Sequence, residues 1–394
     1  MLLSIGVANA VTSWTFYSSS PAATAPGAAN AVTAPDRSVA DTVLVVLNEI
    51  FVHVRGLPMF ALLFGYGIGM LVTRESRRGV EPKTYRGLLL RRYGWLVLFG
   101  AVHCIFLFSG DILMLYALLG LIAVFLLRLS NRTLLWVAGV LAVVGAVIIA
   151  MEGGDADAAA MFPGAASGAT GGTDMSEGGY LTKQLGIGLI SAITVPASIF
   201  DVGPQLGALI LLGIVAARAG ILEDPVRHRR LLAIVAAVGL TAAVATGIPA
   251  GLAKIGVLDG AHWGSASSIA GTLAGPGIIC AIALICLPLQ RRIRAAAEAG
   301  RTLSPPEPFL SLQALGQRSM SGYVGQSVLF QIVAAAWFLD LFDDASLTII
   351  VAWACAVWLV TLIAARALHA AGRPGPLESL HRRLTYGAGD TRRN

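Results

Sequence analysis

Apolar runs separated by short polar segments recur along the chain, at residues 1–17, 54–73, 93–108, 112–128, 134–151, 203–220, 231–250, 268–288, 322–339 and 347–368. A bilayer core about 30 Å thick is crossed by roughly 20 apolar helical residues. The pattern therefore predicts an all-α polytopic membrane protein of about ten transmembrane helices. An eleventh apolar stretch, 185–200, is broken from the next by Pro196 and by Asp201-Val-Gly-Pro204, and is expected to be interfacial or re-entrant. Residues 18–42, rich in Ser, Ala and Pro, read as an outer loop. Residues 152–182 are Gly-rich and acidic, a composition that buries too little apolar surface to fold. They divide an N-terminal five-helix half, 1–151, from a C-terminal five-helix half with a basic tail, 183–394. No sequence repeat relates the halves.

Charge orients the pattern. Ten spans with the N-terminus inside place 24 of the 28 Lys and Arg on the cytoplasmic side, leaving Arg37, Arg55, Lys183 and Lys254. The acids go the other way, 14 of 22 falling outside, among them Glu152, Asp155, Asp157, Asp174, Glu177, Asp340, Asp343 and Asp344. This is a positive-inside distribution with both termini cytoplasmic. Making 185–200 a full span would put Arg227, Arg229 and Arg230 outside. Composition agrees: 56% apolar, 13% charged and a mean hydropathy of +0.76, against about 25% charged in soluble domains. An ordinary soluble enzyme, a coiled coil and a disordered chain are excluded. The net charge of +6 is explained by inner loops facing anionic lipid headgroups, including a short basic helix expected at 289–301, so membrane lipids and not nucleic acid are the expected partners.

Ionisable residues within spans are functional candidates by default. The first set is Arg91-Arg92-Tyr93, His103, Asp111 and Tyr116. His103 and Asp111, eight residues apart, return to nearly one face if the helix continues. Such a pair either makes the imidazole a general base or forms a structural bond closing an outer hairpin. The second set is His53 and Arg55 at the outer end of 54–73, where Arg55 is expected to pair with Asp111 or an anionic ligand. In the same segment Gly65 and Gly69 are spaced for close helix packing. The third set opens the ninth span with Arg318, followed by Ser319, Tyr323, Gln326 and Ser327 as one polar stripe. The stripe either joins helices or lines a cavity, and is expected in the cytoplasmic half, away from His103. Cys104, Cys280, Cys286 and Cys355 lack ligand spacing and read as small apolar residues. His228, His262, His369 and His381 are expected to be solvated or interfacial. No Gly-x-Ser-x-Gly, Walker, His-Glu-x-x-His or Cys-x-x-Cys motif is present.

Three segments together carry a resemblance. They are Arg55-Gly-Leu-Pro-Met-Phe-Ala-Leu-Leu-Phe-Gly-Tyr-Gly67; Arg91-Arg92 with His103 and Gly110-Asp-Ile-Leu113; and Gly316-Gln-Arg-Ser-Met-Ser-Gly-Tyr323-Val-Gly-Gln-Ser327 followed by Gly375-Pro-Leu-Glu378-Ser-Leu-His-Arg-Arg383-Leu-Thr-Tyr386-Gly387. The chain resembles the YeiB-like bacterial membrane proteins, whose C-terminal half is domain-of-unknown-function family 418. Those proteins typically open with an Asp-x-x-Arg-Gly motif. Here Met1-Leu-Leu-Ser-Ile-Gly-Val-Ala-Asn9 looks like the remainder of that first span, and a misassigned start is the expected cause.

The family is similar in turn to transmembrane acyltransferases, among them heparan-glucosaminide acetyltransferase. The resemblance implies a protein of the bacterial cytoplasmic membrane that carries an acyl group from acyl-coenzyme A to a small-molecule, glycan or lipid acceptor at the outer face. His103 or His53 would act on the acceptor hydroxyl, with Asp111 orienting it. Arg55 would bind an anionic group, and Arg91 and Arg92 the coenzyme A phosphates. The alternative is a transporter or export component, with Tyr323, Gln326 and Asp111 lining a path.

Overall fold

The computed structural model describes residues 1–14, 37–152, 184–260, 262–335, 338–342 and 345–387. Every regular element among them is helical. The expected linker at 152–182, with Asp155, Asp157, Asp174 and Glu177, lies almost wholly outside the described residues, as do Lys183, Asp343, Asp344 and most of the loop expected at 18–42.

The helices are α1 Leu2–Thr12, α2 Val39–Phe51, α3 Gly56–Arg77, α4 Pro82–Phe106, α5 Leu113–Leu126, α6 Asn131–Glu152, α7 Gly186–Thr194, α8 Ser198–Asp201, α9 Gly203–Arg218, α10 Arg229–Lys254, α11 Trp263–Glu298, α12 Phe309–Gly316, α13 Ser319–Ala334, α14 Leu347–Ala370 and α15 Pro376–Tyr386. Among the described residues six stretches are long and apolar enough to cross a membrane, or seven if one bent pair is a single span. Each of the ten expected spans coincides with a helix, but α1, α5 and α13 have only 11, 14 and 16 residues. α6, α10 and α11 turn Val140, Val143, Val147, Ile234 and Ile285 outward, an apolar exterior that suits lipid.

The bent pair is the stretch expected to be broken. α7, a 3-10 turn at Val195–Ala197 and α8 lead into α9 through a 70° bend. Pro196 and Pro204 each lack a backbone N–H, which favours a helix start over a helix interior.

Two expectations are corrected. Residues 39–42 are not loop but the first turn of α2. Ser38 Oγ accepts from the Asp41 N–H at 3.1 Å and Asp41 Oδ2 from the Ser38 N–H at 3.3 Å, a capping box that starts the helix. Asp41 Oδ1 also accepts from the Thr348 N–H at 2.8 Å and hydroxyl at 2.7 Å, tying α2 to the start of α14. Nor is 289–301 a separate helix. Its Arg- and Ala-rich sequence has high helix propensity, so α11 runs on unbroken and ends before Gly300, whose φ is +68°.

Packing follows the small residues. A Cβ at Gly65 or Gly69 would strike the backbone of Ile210 or Ile214, so these two glycines let α3 lie directly on α9, as their spacing predicts. The main core joins α3, α4, α5 and α9 through Ile68, Leu89, Tyr116, Leu209 and Ile214. A second core stacks Trp14 between Phe108 and Phe330, with centroids at 4.8 and 5.6 Å. Helices from both sides of 152–182 interleave throughout: α3 with α9, α2 with α10, α1 with α14 and α4 with α15.

Candidate functional site

α4 ends at Phe106, and the chain turns through Leu107–Ile112 before α5 begins. The turn is buried, with Phe108, Ser109 and Asp111 all inside the protein. Because the helix has already ended, the eight-residue spacing does not itself align His103 with Asp111. The hairpin does. His103 Nδ1 lies 2.7 Å from Asp111 Oδ1, and the other carboxylate oxygen accepts from the Met114 N–H at 2.7 Å. An ionised carboxylate only accepts, so Nδ1 donates to it.

The other ring nitrogen, Nε2, lies 2.9 Å from Ser327 Oγ. This corrects the expectation that the 319–327 stripe lies away from His103. α13 ends at Ala334, not near 339, so Ser327 stands at its midpoint, and the buried hairpin brings His103 inward to meet it. Tyr323, one turn earlier, packs its ring on His103 with centroids 5.1 Å apart, and its hydroxyl oxygen accepts from the Ile112 N–H at 3.5 Å. Sequence spacing placed Ser327 on one stripe with Tyr323. It could not show that α13 and the α4–α5 turn meet.

Tyr323 also lines a cleft of about 700 Å³, within the range of ligand pockets. Its walls come from α1, α3, α4, α5, α12, α13, α14 and α15, and are apolar except for groups such as Arg92, Gln317, Ser319, Glu378 and His381. A separate cavity of about 20 Å³ lies against Asp111, Ser198 and Gln205. Ile112 borders both spaces.

The tail helix α15 builds the polar end of the cleft. Glu378 Oε1 accepts from the Met320 and Ser321 N–H groups at 2.8 and 3.0 Å, and its other oxygen takes the Ser321 hydroxyl. An acid here complements the positive end of α13. His381 Nε2 donates to the Arg92 carbonyl at 2.9 Å. It is therefore a buried wall residue, where a solvated or interfacial one was expected. Burial pushes its imidazole below the ordinary histidine range, an effect opposed by the bond to Arg92.

The other sequence candidates separate into wall, anchor and surface. Arg92 lines the cleft, whereas Arg91 points to the exterior. Tyr116 is fully buried, donates to the Leu57 carbonyl at 2.7 Å and packs edge-on against Phe60. Arg318 donates to the Ala314 carbonyl at 3.0 Å and to the Arg373 carbonyl, fastening α12 to the segment before α15. Gln326 is buried toward Gly6 of α1, and its Nε2 has no partner.

Arg55 does not bond to Asp111, and it lines neither of the two cavities above. It is fully buried and donates to the carbonyls of Ile50 (3.3 Å), Glu49 (3.2 Å) and Ser267 (2.6 Å), and to Ser267 Oγ (2.9 Å). The Glu49 and Ile50 carbonyls end α2, so the cation sits at that helix's negative pole. Glu49 meanwhile pairs with Lys254 at 2.7 Å, and His53 stands in the electrostatic reach of this pair, apart from the His103 network. Among the described residues no three His, Cys, Asp or Glu side chains converge as metal ligands.

Residues 216–388 match the family described as "Protein of unknown function (DUF418)". The chain is 28% identical over 358 residues to the uncharacterized protein YeiB of Escherichia coli (strain K12), covering 85% of this chain and 83% of that one. A 98-residue stretch is 33% identical to the uncharacterized protein YxaH of Bacillus subtilis (strain 168), a quarter of this chain (25%) and 24% of that relative's length. No solved structure matches.

Proposed function

We propose that this chain, which is similar to YeiB and matches the DUF418 family over residues 216–388, is a membrane acyltransferase drawing its donor from the 700 Å³ cleft. The observation that carries the proposal is one wall of that cleft. Its residue Tyr323 packs on a buried imidazole that Asp111 holds through Nδ1. His103 is the base that removes a proton from the attacking hydroxyl, and Asp111 orients it and stabilises the imidazolium. Arg92 on the wall attracts the donor's phosphates, for which a guanidinium fork is suited, and the outward-facing Arg91 takes no part.

The cleft's polar residues come from segments that the charge pattern assigns to the cytoplasm. In this reading all ten segments cross the cytoplasmic membrane with both termini inside, and the short α1, α5 and α13 are accommodated within the bundle. An acyl-coenzyme A then enters from the cytoplasmic side, and a small-molecule, glycan or lipid acceptor approaches past Asp111 from the other side. His53 has no part in the chemistry.

Calorimetric titration of the detergent-purified chain with acetyl-coenzyme A tests this. Wild type and His103→Ala bind the donor, and Arg92→Ala binds it at least fivefold more weakly. Absence of binding at millimolar donor overturns the proposal and favours a transported solute as the cleft's occupant.

A further inference from the structure

We propose that Ser327 is an acyl-accepting nucleophile, so that the reaction passes through an acyl-serine on α13. This rests on the acyltransferase reading of the same site and adds the residue that becomes covalently modified. Three contacts carry it: Ser327 Oγ to His103 Nε2 at 2.9 Å, His103 Nδ1 to Asp111 Oδ1 at 2.7 Å, and Asp111 Oδ2 to the Met114 N–H at 2.7 Å. A nucleophile within reach of a base that is itself held by a third group is the geometry of activated hydroxyls on unrelated folds.

The direction of the serine hydrogen bond follows from the chain of acceptors. With His103 neutral, its Nδ1 proton goes to Asp111, Nε2 accepts, and the Ser327 hydroxyl donates to it. The serine also reaches the Tyr323 carbonyl one turn back, at the longer distance of 3.5 Å. The shorter contact is the one to the imidazole.

Position agrees with chemistry. Ser319, Met320 and Tyr323 line the cleft, and Ser327 is four residues beyond Tyr323, one turn deeper on nearly the same face of α13. Ser327 is itself buried, with the Tyr323 ring packed on the same imidazole. The proposed reaction requires that ring to swing aside and join the cleft to the serine.

The steps balance with an acyl thioester as donor and a hydroxyl as acceptor. Ser327 Oγ attacks the thioester carbonyl while its proton moves to His103 Nε2. The carbon–sulfur bond breaks and the thiolate leaves with that proton, which restores neutral His103. An acceptor hydroxyl then attacks the acyl-serine, again giving its proton to Nε2. The Oγ–acyl bond breaks, and Ser327 recovers the proton as the ester leaves.

Two probes test the full chain in detergent. One is acetyl-coenzyme A without acceptor, followed by acid quench and peptide mass mapping. The other is a small alkyl fluorophosphonate, which reacts with a base-activated serine and needs no donor site. Both are expected to modify the peptide bearing Ser327, and each adduct forms at least 100-fold more slowly in His103→Ala. Ser327→Ala loses both adducts, whereas Ser327→Cys still takes the acetyl group by thioester exchange.

Acetyl transfer to an added hydroxyl compound with Ser327 unmodified overturns the nucleophile and leaves the acyltransferase reading standing. Fluorophosphonate labelling of Ser327 without acetyl-coenzyme A binding upholds the nucleophile and removes the proposed donor. Modification by neither probe, in wild type and in Tyr323→Ala with its path opened, overturns the inference. Because wild type carries the decisive adduct, poor folding of a variant does not obscure the result.

Discussion

Two buried polar clusters sit in the same apolar bundle, and they differ in what their hydrogen bonds leave over. Around Arg55, four donor contacts end on the last carbonyls of α2 and on Ser267, and Glu49 is paired with Lys254. That cluster is closed, because its charge is used up holding α2 to α11 and α10. Around His103, each Asp111 oxygen is also paired, yet the chain of contacts runs on through the second ring nitrogen to a serine hydroxyl, next to the tyrosine that borders the cleft. An ionisable residue in an apolar span marks a functional candidate by default. Counting its donors and acceptors separates an anchor from a site.

The comparison breaks first at Arg55. Arg55→Leu leaves the Ser267 carbonyl and the end of α2 unsatisfied and is expected to cost about 3 kcal/mol, read as a lower melting temperature in detergent. Donor binding by the protein that remains folded stays at the wild-type level. A variant of normal stability with lost donor binding would reverse the roles assigned to the two clusters.

Gly65→Ala drives a methyl into the Ile210 backbone, and overpacking of this kind costs about 2 kcal/mol. Denaturant or thermal titration checks it. Gly67→Ala, where a Cβ meets nothing within 4 Å, serves as the neutral control. Glu378→Gln weakens the cap on α13 by about 1 kcal/mol. Since Glu378 also lines the cleft, donor affinity falls with it, as calorimetry would show.

The smallest effect is a pH dependence at His381. Burial holds its folded pKa below the unfolded value, so its contribution to stability is present above that unfolded value, about 6.5. As pH falls from there through the depressed folded value, the unfolded chain binds the proton more readily and the contribution is lost. Melting temperature should drop more steeply below pH 6.5 in wild type than in His381→Gln. Equal slopes would place the titrating group elsewhere.

Much of this was legible in the chain itself. The break at Pro196 and Gly203-Pro204, the Gly65/Gly69 approach and the His103–Asp111 pairing all depend on local geometry or short spacing. What was hidden depends on contacts between distant segments. Ser327 meets His103 across 224 positions, Glu378 caps a helix 57 positions away, and Arg55 finds Ser267 212 positions on. Spacing within one helix carries no information about such meetings. The start of α2 was a different kind of miss, since Ser38 and Asp41 spell a capping pattern inside a stretch whose composition reads as loop.

The central claim is that His103 performs chemistry while Arg55 holds structure. Its most direct test is the release of free thiol from acetyl-coenzyme A by the purified chain, measured beside melting temperature for wild type, His103→Ala and Arg55→Leu. The expected result is thiol release at least 100-fold slower in His103→Ala with a melting temperature near wild type, and near-normal release per folded molecule in the destabilised Arg55→Leu. Thiol release at the wild-type rate in a well-folded His103→Ala would contradict it.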